Sequence, residues 1–392
     1  MQKPPFAIAA LGIFAALAAL LPLGYLLIRL FDGFEKALFE LLRARTLELM
    51  ANTLLLTVAV TVTAVLIGFF QAWLTTRTNL FGAAFFAVLG TLPLAIPSYV
   101  LALAYTSVFP SFTGFFAAWI TLSLASAPYV FLAVSAALIR SNVNQEEVAR
   151  SLGLTSFQVL RKVTWPQVRP AAMASGLLVA LYTLSEFGAV SILRFDTFTR
   201  AIYNAYRGSF DRTAAAALAV VLVLLTLIVL YFEKRYRSGY TQVEKQSRQL
   251  KIQLGGWKFL AAATLVIVAI GSSVVPIFAL ASWTFSGEAW DVSEILSALG
   301  ASLGIAVSAG LVIGIFATAI AIWNVRFSSR FATGVELTVW SSHALPALVV
   351  ALSLVFFGAN LTPGLYQTVW LLIFAYLLSL IHISEPTRLL SI

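Results

Sequence analysis

The dominant pattern of the chain is a series of long apolar stretches separated by short polar ones. A bilayer core about 30 Å thick needs roughly 20 apolar helical residues to cross it. Ten stretches are long enough: Ala7–Leu30, Asn52–Leu74, Phe81–Phe109, Thr113–Ile139, Ala171–Leu193, Thr213–Phe232, Trp257–Trp283, Leu299–Trp323, Phe331–Phe357 and Leu365–Ile381. Gly and Pro within several of them are tolerated where neighbouring helices satisfy the freed backbone. The pattern predicts an all-α polytopic membrane protein.

Composition agrees with this prediction and removes two kinds of site. Apolar residues make up 60% of the chain and charged residues 10%, with a mean hydropathy of +0.94, far from the range of soluble domains. The absence of cysteine excludes disulfides and thiolate metal ligands. His343 and His382 are far apart in sequence, so we expect no metal site. The first apolar stretch is longer than a signal-peptide core and predicts a retained helix.

The net charge of +9 is explained by the distribution of charged residues between the two sides of the membrane. If strict alternation of the spans is assumed, the loop between Arg140 and Pro170 falls on the same side as most of the Lys and Arg residues. The acidic loop Gly287–Glu294 falls on the other side. This distribution is the positive-inside tendency and places the Arg140–Pro170 loop in the cytoplasm. The charge therefore indicates membrane orientation, and we expect no nucleic-acid partner.

One charged segment of some length, residues 233–256, interrupts the apolar pattern and divides the chain into halves 1–232 and 257–392. Sliding the second half back by 249 positions places Arg326 on Arg77 and Pro346 on Pro97. The common register of Arg and Pro predicts a tandem repeat of about six spans. We therefore expect a first repeat over residues 1–232 with six spans, a cytoplasmic linker over 233–256 and an incomplete second repeat of four spans over 257–392.

The polar loop of residues 141–170 begins with the pattern of a helix start. Asn144 is a good cap residue, and Glu147 lies three positions later, the reciprocal arrangement of a capping box. Glu146 and Arg150 are one helical turn apart and can pair weakly. Gly153 stands where a helix ends in a left-handed residue. We predict one short helix from Asn144 to just before Gly153.

A second helix start follows at once in the same loop. Thr155 and Gln158 repeat the capping pattern, and the helix is expected to run to about Val163, where Pro166 stops it. The loop thus predicts two short helices at an angle. They can form a knob that fits a groove on another protein. The alternative is an amphipathic helix pair that rests in the lipid headgroups.

The loop resembles the cytoplasmic coupling loop of binding-protein-dependent ABC importer permeases. That family's pattern is Glu-Ala-Ala, three residues, Gly, nine residues, an aliphatic residue, one residue and Leu-Pro. The matching positions are Glu147, Ala149, Gly153, Val163 and Pro166. Val148 and Trp165 depart from the pattern, in which Ala and Leu occupy these positions. The resemblance implies a type I importer permease fold, in which these matching positions are the coupling residues.

The resemblance also implies the partners. In this family the loop docks into cytoplasmic ABC ATPase subunits, so ATP–Mg is used by a separate chain. No Gly-rich phosphate loop followed by Lys-Ser or Lys-Thr occurs in the sequence. We therefore expect a transport subunit that is not an enzyme and binds no cofactor itself.

The stretch SEFGAVSILRFDTFTRAIYNAYRGSFDR, which begins at Ser185, is similar to the same region of two-repeat permeases of bacterial ferric iron importers. Membership would imply Fe(III) as substrate, a periplasmic or lipid-anchored substrate-binding protein, and the bacterial inner membrane. Importers of thiamine, polyamines, sulfate or phosphonate share the coupling loop and stay open as alternatives.

Arginine and tyrosine alternate on the predicted outer side, against the positive-inside trend. Arg200, Arg207 and Tyr203 are therefore candidates for docking the binding protein, because Arg and Tyr dominate interface hot spots. The alternative is an interfacial helix held by local Asp–Arg pairs.

Glu186 lies within the predicted fifth span, where an ionisable group is costly unless it faces a cavity or a partner. With Tyr182 and Ser185 it is a candidate for the translocation path. The alternative is an interhelical hydrogen bond or an ion pair with a neighbouring Arg.

Two other function classes fit less well. A membrane-embedded enzyme would need a nucleophile and a base at matching depth, and Glu186 has no evident second acid in its half. An ion-coupled secondary transporter can carry repeats but has no need of a capped, Gly-broken loop.

The C-terminal stretch LSLIHISEPTR, Leu378 to Arg388, resembles a translated sequencing adaptor. We expect residues 378–392 to be a non-native tail on a truncated second repeat; the alternative is a naturally short tail.

Overall fold

The computed structural model describes residues 4–207, 212–237, 251–286, 291–327, 329–341 and 345–380. Within them the chain is helical, and one isolated parallel bridge joins Thr78 to Ile252. His343, His382 and residues 381–392 of the expected tail lie outside the described residues, as does most of the predicted linker. The predicted non-native tail therefore stays a prediction.

The described residues form eighteen α-helices: α1 Phe6–Asp32, α2 Phe34–Leu42, α3 Ala44–Arg77, α4 Ala83–Thr91, α5 Ser98–Val108, α6 Gly114–Arg140, α7 Val143–Ser151, α8 Ser156–Val159, α9 Trp165–Ser185, α10 Gly188–Ile192, α11 Phe198–Arg207, α12 Arg212–Arg237, α13 Trp257–Ala269, α14 Val275–Ser286, α15 Val292–Arg326, α16 Arg330–Ser341, α17 Ala347–Asn360 and α18 Val369–Leu380. A 3₁₀ turn, Leu92–Ala95, follows α4. Wide π turns at Leu160–Thr164 and Ile270–Val274 join α8 to α9 and α13 to α14.

Seven helical segments in the described chain are long and apolar enough to cross a membrane. They are Phe6–Asp32, Ala44–Arg77, Gly114–Arg140, Ser156–Ser185, Arg212–Phe232, Trp257–Phe285 and Val292–Arg326. Counting the bent pair of α4 and α5 as one span gives eight. The prediction of an all-α polytopic membrane protein is confirmed.

The predicted span Phe81–Phe109 is not one continuous helix, because the chain bends by 96° between α4 and α5. Pro97 lacks an N–H and disfavours the helical conformation in the residue before it. Ile96 is accordingly extended, with φ −108° and ψ 111°. A hydropathy window does not detect such a break, since the residues on both sides remain apolar.

The predicted span Phe331–Phe357 is described as two shorter helices, α16 and α17, and Pro346 precedes α17 with nearly the backbone angles of Pro97. The 249-residue register recurs in the element bounds as well. α3 ends at Arg77 and α15 at Arg326, and α5 and α17 begin at Ser98 and Ala347. The predicted division into two repeats and a linker stays a prediction.

The helices group into two compact units, and the unit that carries the loop comprises residues 47–200 and 227–287. We call it the loop unit. In its core α3, α6 and α9 pack around Val60, Leu122 and Val179, all fully buried. Gly68 permits the approach of α3 to α6, because a Cβ there would lie 2.7 Å from the carbonyl oxygen of Ala127. This close packing fixes the end of α3 beside the end of α6, from which the loop follows.

The other unit, which we call the terminal unit, comprises residues 1–46, 201–226 and 288–392. Ala15, Ile320, Val339 and Leu377 form a small buried cluster contributed by α1, α15, α16 and α18. Most of α15 is exposed, and only 17% of its most apolar window is buried. The helix that matches α3 in register is therefore much less enclosed than α3.

Candidate functional site

The first helix of the loop, α7, is closed at both ends by its own residues. Asn142 is the N-cap, and its side-chain oxygen accepts a hydrogen bond from the Gln145 amide at 3.3 Å. The predicted start at Asn144 is wrong by two residues, because two good cap residues lie within one turn of each other. Gly153 has φ +84°. Its amide and that of Leu154 donate to the last turn of α7, so the helix ends in a Schellman motif as predicted.

The second helix begins with the predicted capping box, in which Thr155 and Gln158 exchange side-chain-to-backbone hydrogen bonds. The prediction that Pro166 stops this helix is wrong. The chain passes through the π turn Leu160–Thr164 and continues as α9 to Ser185. A π turn widens the backbone just where Pro lacks its N–H and where its ring would crowd the preceding carbonyls. Pro166 thus lies in the first turn of α9, and the loop runs directly into a membrane span.

The two faces of α7 differ in burial. Glu146 and Ala149 face inward and are 3% and 7% exposed. Glu147 is exposed, and so are the apolar side chains Val148 and Leu152, the latter at 76%. Phe157 on α8 is also largely exposed. Of the five predicted coupling residues, the structure buries Ala149, half-buries Val163 and exposes Glu147, Gly153 and Pro166. Their role in coupling stays a prediction.

A buried ion pair holds α7 to the end of α3. A guanidinium nitrogen of Arg77 lies 3.2 Å from a carboxylate oxygen of Glu146, and these side chains are 1% and 4% exposed. Thr164 donates a hydrogen bond to the same oxygen at 2.9 Å, and Arg150 lies 3.8 Å from the other oxygen. Arg77 also donates to the hydroxyl of Ser141 just after α6. The glutamate therefore connects α3, α7 and the start of α9.

Sequence reasoning missed this pair, because it matched only Glu147 to the family pattern and considered Glu146 only as a partner of Arg150. The available signal was that Glu146 lies three residues before Ala149, on the inward face of a helix that starts at Val143. The predicted pairing of Glu146 with Arg150 is present but longer than the Arg77 contact.

A glutamine brace adds to the ion pair. The side-chain oxygen of Gln167 accepts from the Asn142 amide at 2.8 Å, and its amide donates to Gln145 at 3.2 Å. Both contacts join α9 to the first turn of α7. With the ion pair they fix the inner face of α7 on two membrane helices while its outer face is left open.

Glu186 lies where the helix is interrupted, just after the end of α9. The sequence predicted an uninterrupted span to Leu193. Its carboxyl oxygens accept from the Ser98 hydroxyl and from the Ala189 amide, both at 2.9 Å. Its own carbonyl accepts from Thr199 at 2.6 Å. The interhelical hydrogen bond that was considered as the alternative is therefore formed, with Ser98 of α5 as the donor.

The other two predicted path residues are near Glu186 in the chain but less enclosed. Tyr182 is half-buried, interacts with Ser98 and Glu186, and lies with its ring 6.1 Å from that of Tyr129. Ser185 is half-buried too. Lining of a translocation path by Glu186, Tyr182 and Ser185 stays a prediction.

The predicted docking residues lie on or beside α11. Arg200 is engaged with Asp196 one turn earlier, the local pairing weighed as the alternative. Arg207 donates to the hydroxyl of Tyr203, and this contact raises the pKa of the exposed Arg207 guanidinium. The N-terminal end of α11 is fixed by buried Phe198, whose amide donates to Thr53 on α3. A docking role for Arg200, Tyr203 and Arg207 stays a prediction.

Taken together, the fold and the loop define a helical membrane protein with a braced helix pair between two spans. The family of binding-protein-dependent transport system inner membrane components matches residues 64–238, a range that includes the whole loop. Three relatives extend the match.

The chain is 34% identical over 397 residues to the Fe(3+)-transport system permease protein FbpB 2 of Haemophilus influenzae, covering 98% of this chain and 78% of that protein. A probable ABC transporter permease, y4fN of Sinorhizobium fredii, is 27% identical, with 92% of this chain and 71% of that protein covered. The sulfate transport system permease protein CysT of Escherichia coli is 27% identical over 56% of this chain and 87% of that protein.

The chain therefore belongs to the binding-protein-dependent ABC importer permeases. A solved structure of the MetNI methionine ABC transporter is similar at a TM-score of 0.42 and 20% identity, covering 51% of this chain and 100% of that one. The predicted family is confirmed by the 34% identity over 98% of the chain, and the predicted all-α membrane class by the helices of the described residues.

Proposed function

We propose that this permease is moved by a separate ATPase that grips the loop formed by α7 and α8. The observation that carries the proposal is the outer face of the loop, where Val148, Leu152 and Phe157 are 59%, 76% and 70% exposed. Large apolar side chains clustered on a polar loop mark an interaction surface more often than a solvated one. Glu147 adds a charge that can specify the partner.

The bracing of α7 supports a mechanical role for this surface. Glu146 and Gln167 attach the inner face of the helix to α3 and α9, so a force applied at Leu152 acts on two spans together. ATP–Mg bound by the partner then shifts the permease between outward- and inward-facing states. Such a shift requires loop contacts whose free energies differ between the two states.

Replacing Leu152 by Arg tests the docking surface. We expect the Leu152→Arg variant to lose association with the ATPase in membranes of the native host, measured by chemical crosslinking, and to lose uptake. Leu152→Met keeps an apolar side chain of similar size and is the matched control. Normal crosslinking and uptake by the Arg variant would overturn the docking proposal.

For the substrate we propose Fe(III), supported by the 34% identity to the Fe(3+)-transport permease over 98% of the chain. The second candidate is sulfate, favoured by the match to CysT. Uptake of radiolabelled Fe(III) and of sulfate by a host that lacks this gene, with and without the gene restored, separates the two. Restored sulfate uptake with unchanged Fe(III) uptake would overturn the iron proposal.

We further propose that the permease lies in a bacterial inner membrane and that a periplasmic or lipid-anchored binding protein docks near α11. Arg207 is exposed, whereas Arg200 shares its charge with Asp196. Arg207→Glu should therefore weaken binding-protein association more than Arg200→Glu, measured by pull-down from solubilised membranes. Equal association of both variants and the parent would count against this surface.

The Glu186 carboxyl group is proposed to face the path in one of the two states, with Ser98 and Tyr182 beside it. Glu186→Gln keeps one of the two acceptor oxygens, replaces the other with an amide NH2 group and removes the charge. We expect reduced uptake with an unchanged amount of protein in the membrane. Unchanged uptake would leave Glu186 with its hydrogen-bonding role alone.

A further inference from the structure

The end of the segment between the two halves is fastened to the end of α3. Thr78 and Ile252 form a parallel bridge, in which the Ile252 amide donates to the Arg77 carbonyl at 2.8 Å and the Asn79 amide donates to the Ile252 carbonyl at 3.0 Å. We call residues 251–254, which lie within the loop unit, the clasp strand.

The side chain of Asn79 doubles this attachment. Its oxygen accepts from the Leu254 amide at 3.0 Å, and its amide donates to the side chain of Gln253. Leu254 also packs against a buried cluster that includes Leu74 and Leu265. A single turn then leads from Leu254 into α13, whose first amide, at Trp257, donates to the Leu254 carbonyl at 3.1 Å. The clasp strand is therefore a short connection from α3 to the first helix of the second half.

Arg77 takes part in both attachments. Its backbone carbonyl receives the clasp strand, while its guanidinium holds Glu146 of α7 and the hydroxyl of Ser141. Arg77, which is fully buried, thus contacts both α7 and the clasp strand, and the clasp strand leads into α13. A movement of α7 relative to α3 would therefore change the contact between the Arg77 guanidinium and Glu146.

We propose that Arg77 is a positioning residue that transmits movement of α7 to the clasp strand and hence to α13. The inference rests on the proposed function, since it presumes that an ATPase moves α7. It assigns a transmitting role to a segment outside the loop, and it makes the second half of the chain respond to the loop of the first half.

The absence of native cysteine allows a direct test with one introduced thiol. Ile252→Cys places a half-buried thiol on the clasp strand, and its labelling by a maleimide-linked polyethylene glycol is followed in native-host membranes with and without ATP. We expect ATP to change the labelling rate in this otherwise unchanged background. Adding Asn79→Ala should raise the rate without ATP on the order of tenfold, because two hydrogen bonds of the clasp are lost.

The decisive variant is Arg77→Met with Glu146→Gln, which removes both charges together and avoids leaving one buried charge unpaired. Thr164 can still donate to the amide oxygen that this change introduces on α7. We expect the double variant to keep its membrane abundance and to lose the effect of ATP on labelling of the clasp-strand thiol. Arg161→Met removes an exposed charge from the same loop and should leave the ATP effect intact.

If ATP still changes the labelling rate in the double variant, the inference is overturned. It is also overturned if ATP does not change the labelling rate of Ile252→Cys alone while that variant takes up substrate. A merely structural Arg77 would lower abundance without altering the ATP effect in the molecules that remain. Failure of the proposed function is distinguishable, since it appears as normal ATPase crosslinking by Leu152→Arg, whatever the labelling of the clasp-strand thiol.

Discussion

The two arginines that share the 249-residue register have opposite surroundings. Arg77 ends α3 and is 1% exposed, paired with Glu146 and in contact with Ser141. Arg326 ends α15 at the same register position and is exposed. The helices themselves are nearly equal in length, 34 and 35 residues. The difference therefore comes from what packs on the helix end.

This comparison shows that the burial of Arg77 is a property of the loop that follows α6. Two arginines at the same register position can thus differ in their electrostatic role, because the partner of Arg77 comes from a segment 69 residues further along the chain. Matching positions between the halves does not assign matching functions.

Removing each arginine in turn is the strongest test of the comparison. Arg77→Met leaves Glu146 buried without its main partner, which costs about 3–5 kcal/mol. Arg326→Met removes an exposed charge and should change stability by roughly 0.5 kcal/mol or less. Thermal unfolding of the detergent-solubilised variants measures both. Equal destabilisation by the two substitutions would contradict the comparison.

Two glycines test the same comparison through stability changes of intermediate size. Gly153 ends α7 with φ +84°, so Ala there is strained by roughly 1–2 kcal/mol. Gly304 lies inside α15 with nothing within 4 Å of an added Cβ, and Ala there should stabilise the helix by about 0.5–1 kcal/mol. The two Gly→Ala variants should therefore shift the unfolding temperature in opposite directions. Shifts of the same sign would contradict the assigned difference between the two glycines.

The smallest expected effect concerns the start of α15. Asp291 caps it, and hydrogen bonds from the Ser293 hydroxyl and from the amides of Glu294 and Ser293 lower the pKa of its carboxyl group. A lowered pKa means that the cap contributes above the ordinary Asp value and is lost as the pH falls through the folded value.

Hydrogen exchange of the first α15 amides checks this, with Asp291→Asn measured at each pH as the control. The difference between the parent and the variant should vanish at acidic pH. A difference that persists there would contradict the assigned direction.

Sequence reasoning recovered what is local. Hydropathy predicted the seven long membrane helices of the described residues, although three further predicted spans are bent or are made of shorter helices. The capping box at Thr155 was correct, and Gly153 was placed in the left-handed region. It failed where the outcome depends on partners or on backbone adjustment. Pro166 was expected to stop a helix, and a π turn accommodated it. Glu186 was placed within a span and lies at a break between α9 and α10.

The ion pair between Arg77 and Glu146 could not be derived from sequence, because 69 residues separate the two positions and no local signal reports that separation. The same holds for the clasp strand, in which a short segment just before the second half pairs with residues 77–79. Contacts between distant segments need the fold first.

The corner between α4 and α5 has a consequence for how the protein is made. Pro97 sets it through its own fixed dihedral and through the extended Ile96 before it, and Pro346 repeats the geometry ahead of α17. Such a corner needs no tertiary packing in order to form. We therefore expect the nascent chain to adopt this corner as soon as Pro97 has been added, so that α4 and α5 enter the bilayer already at an angle to each other.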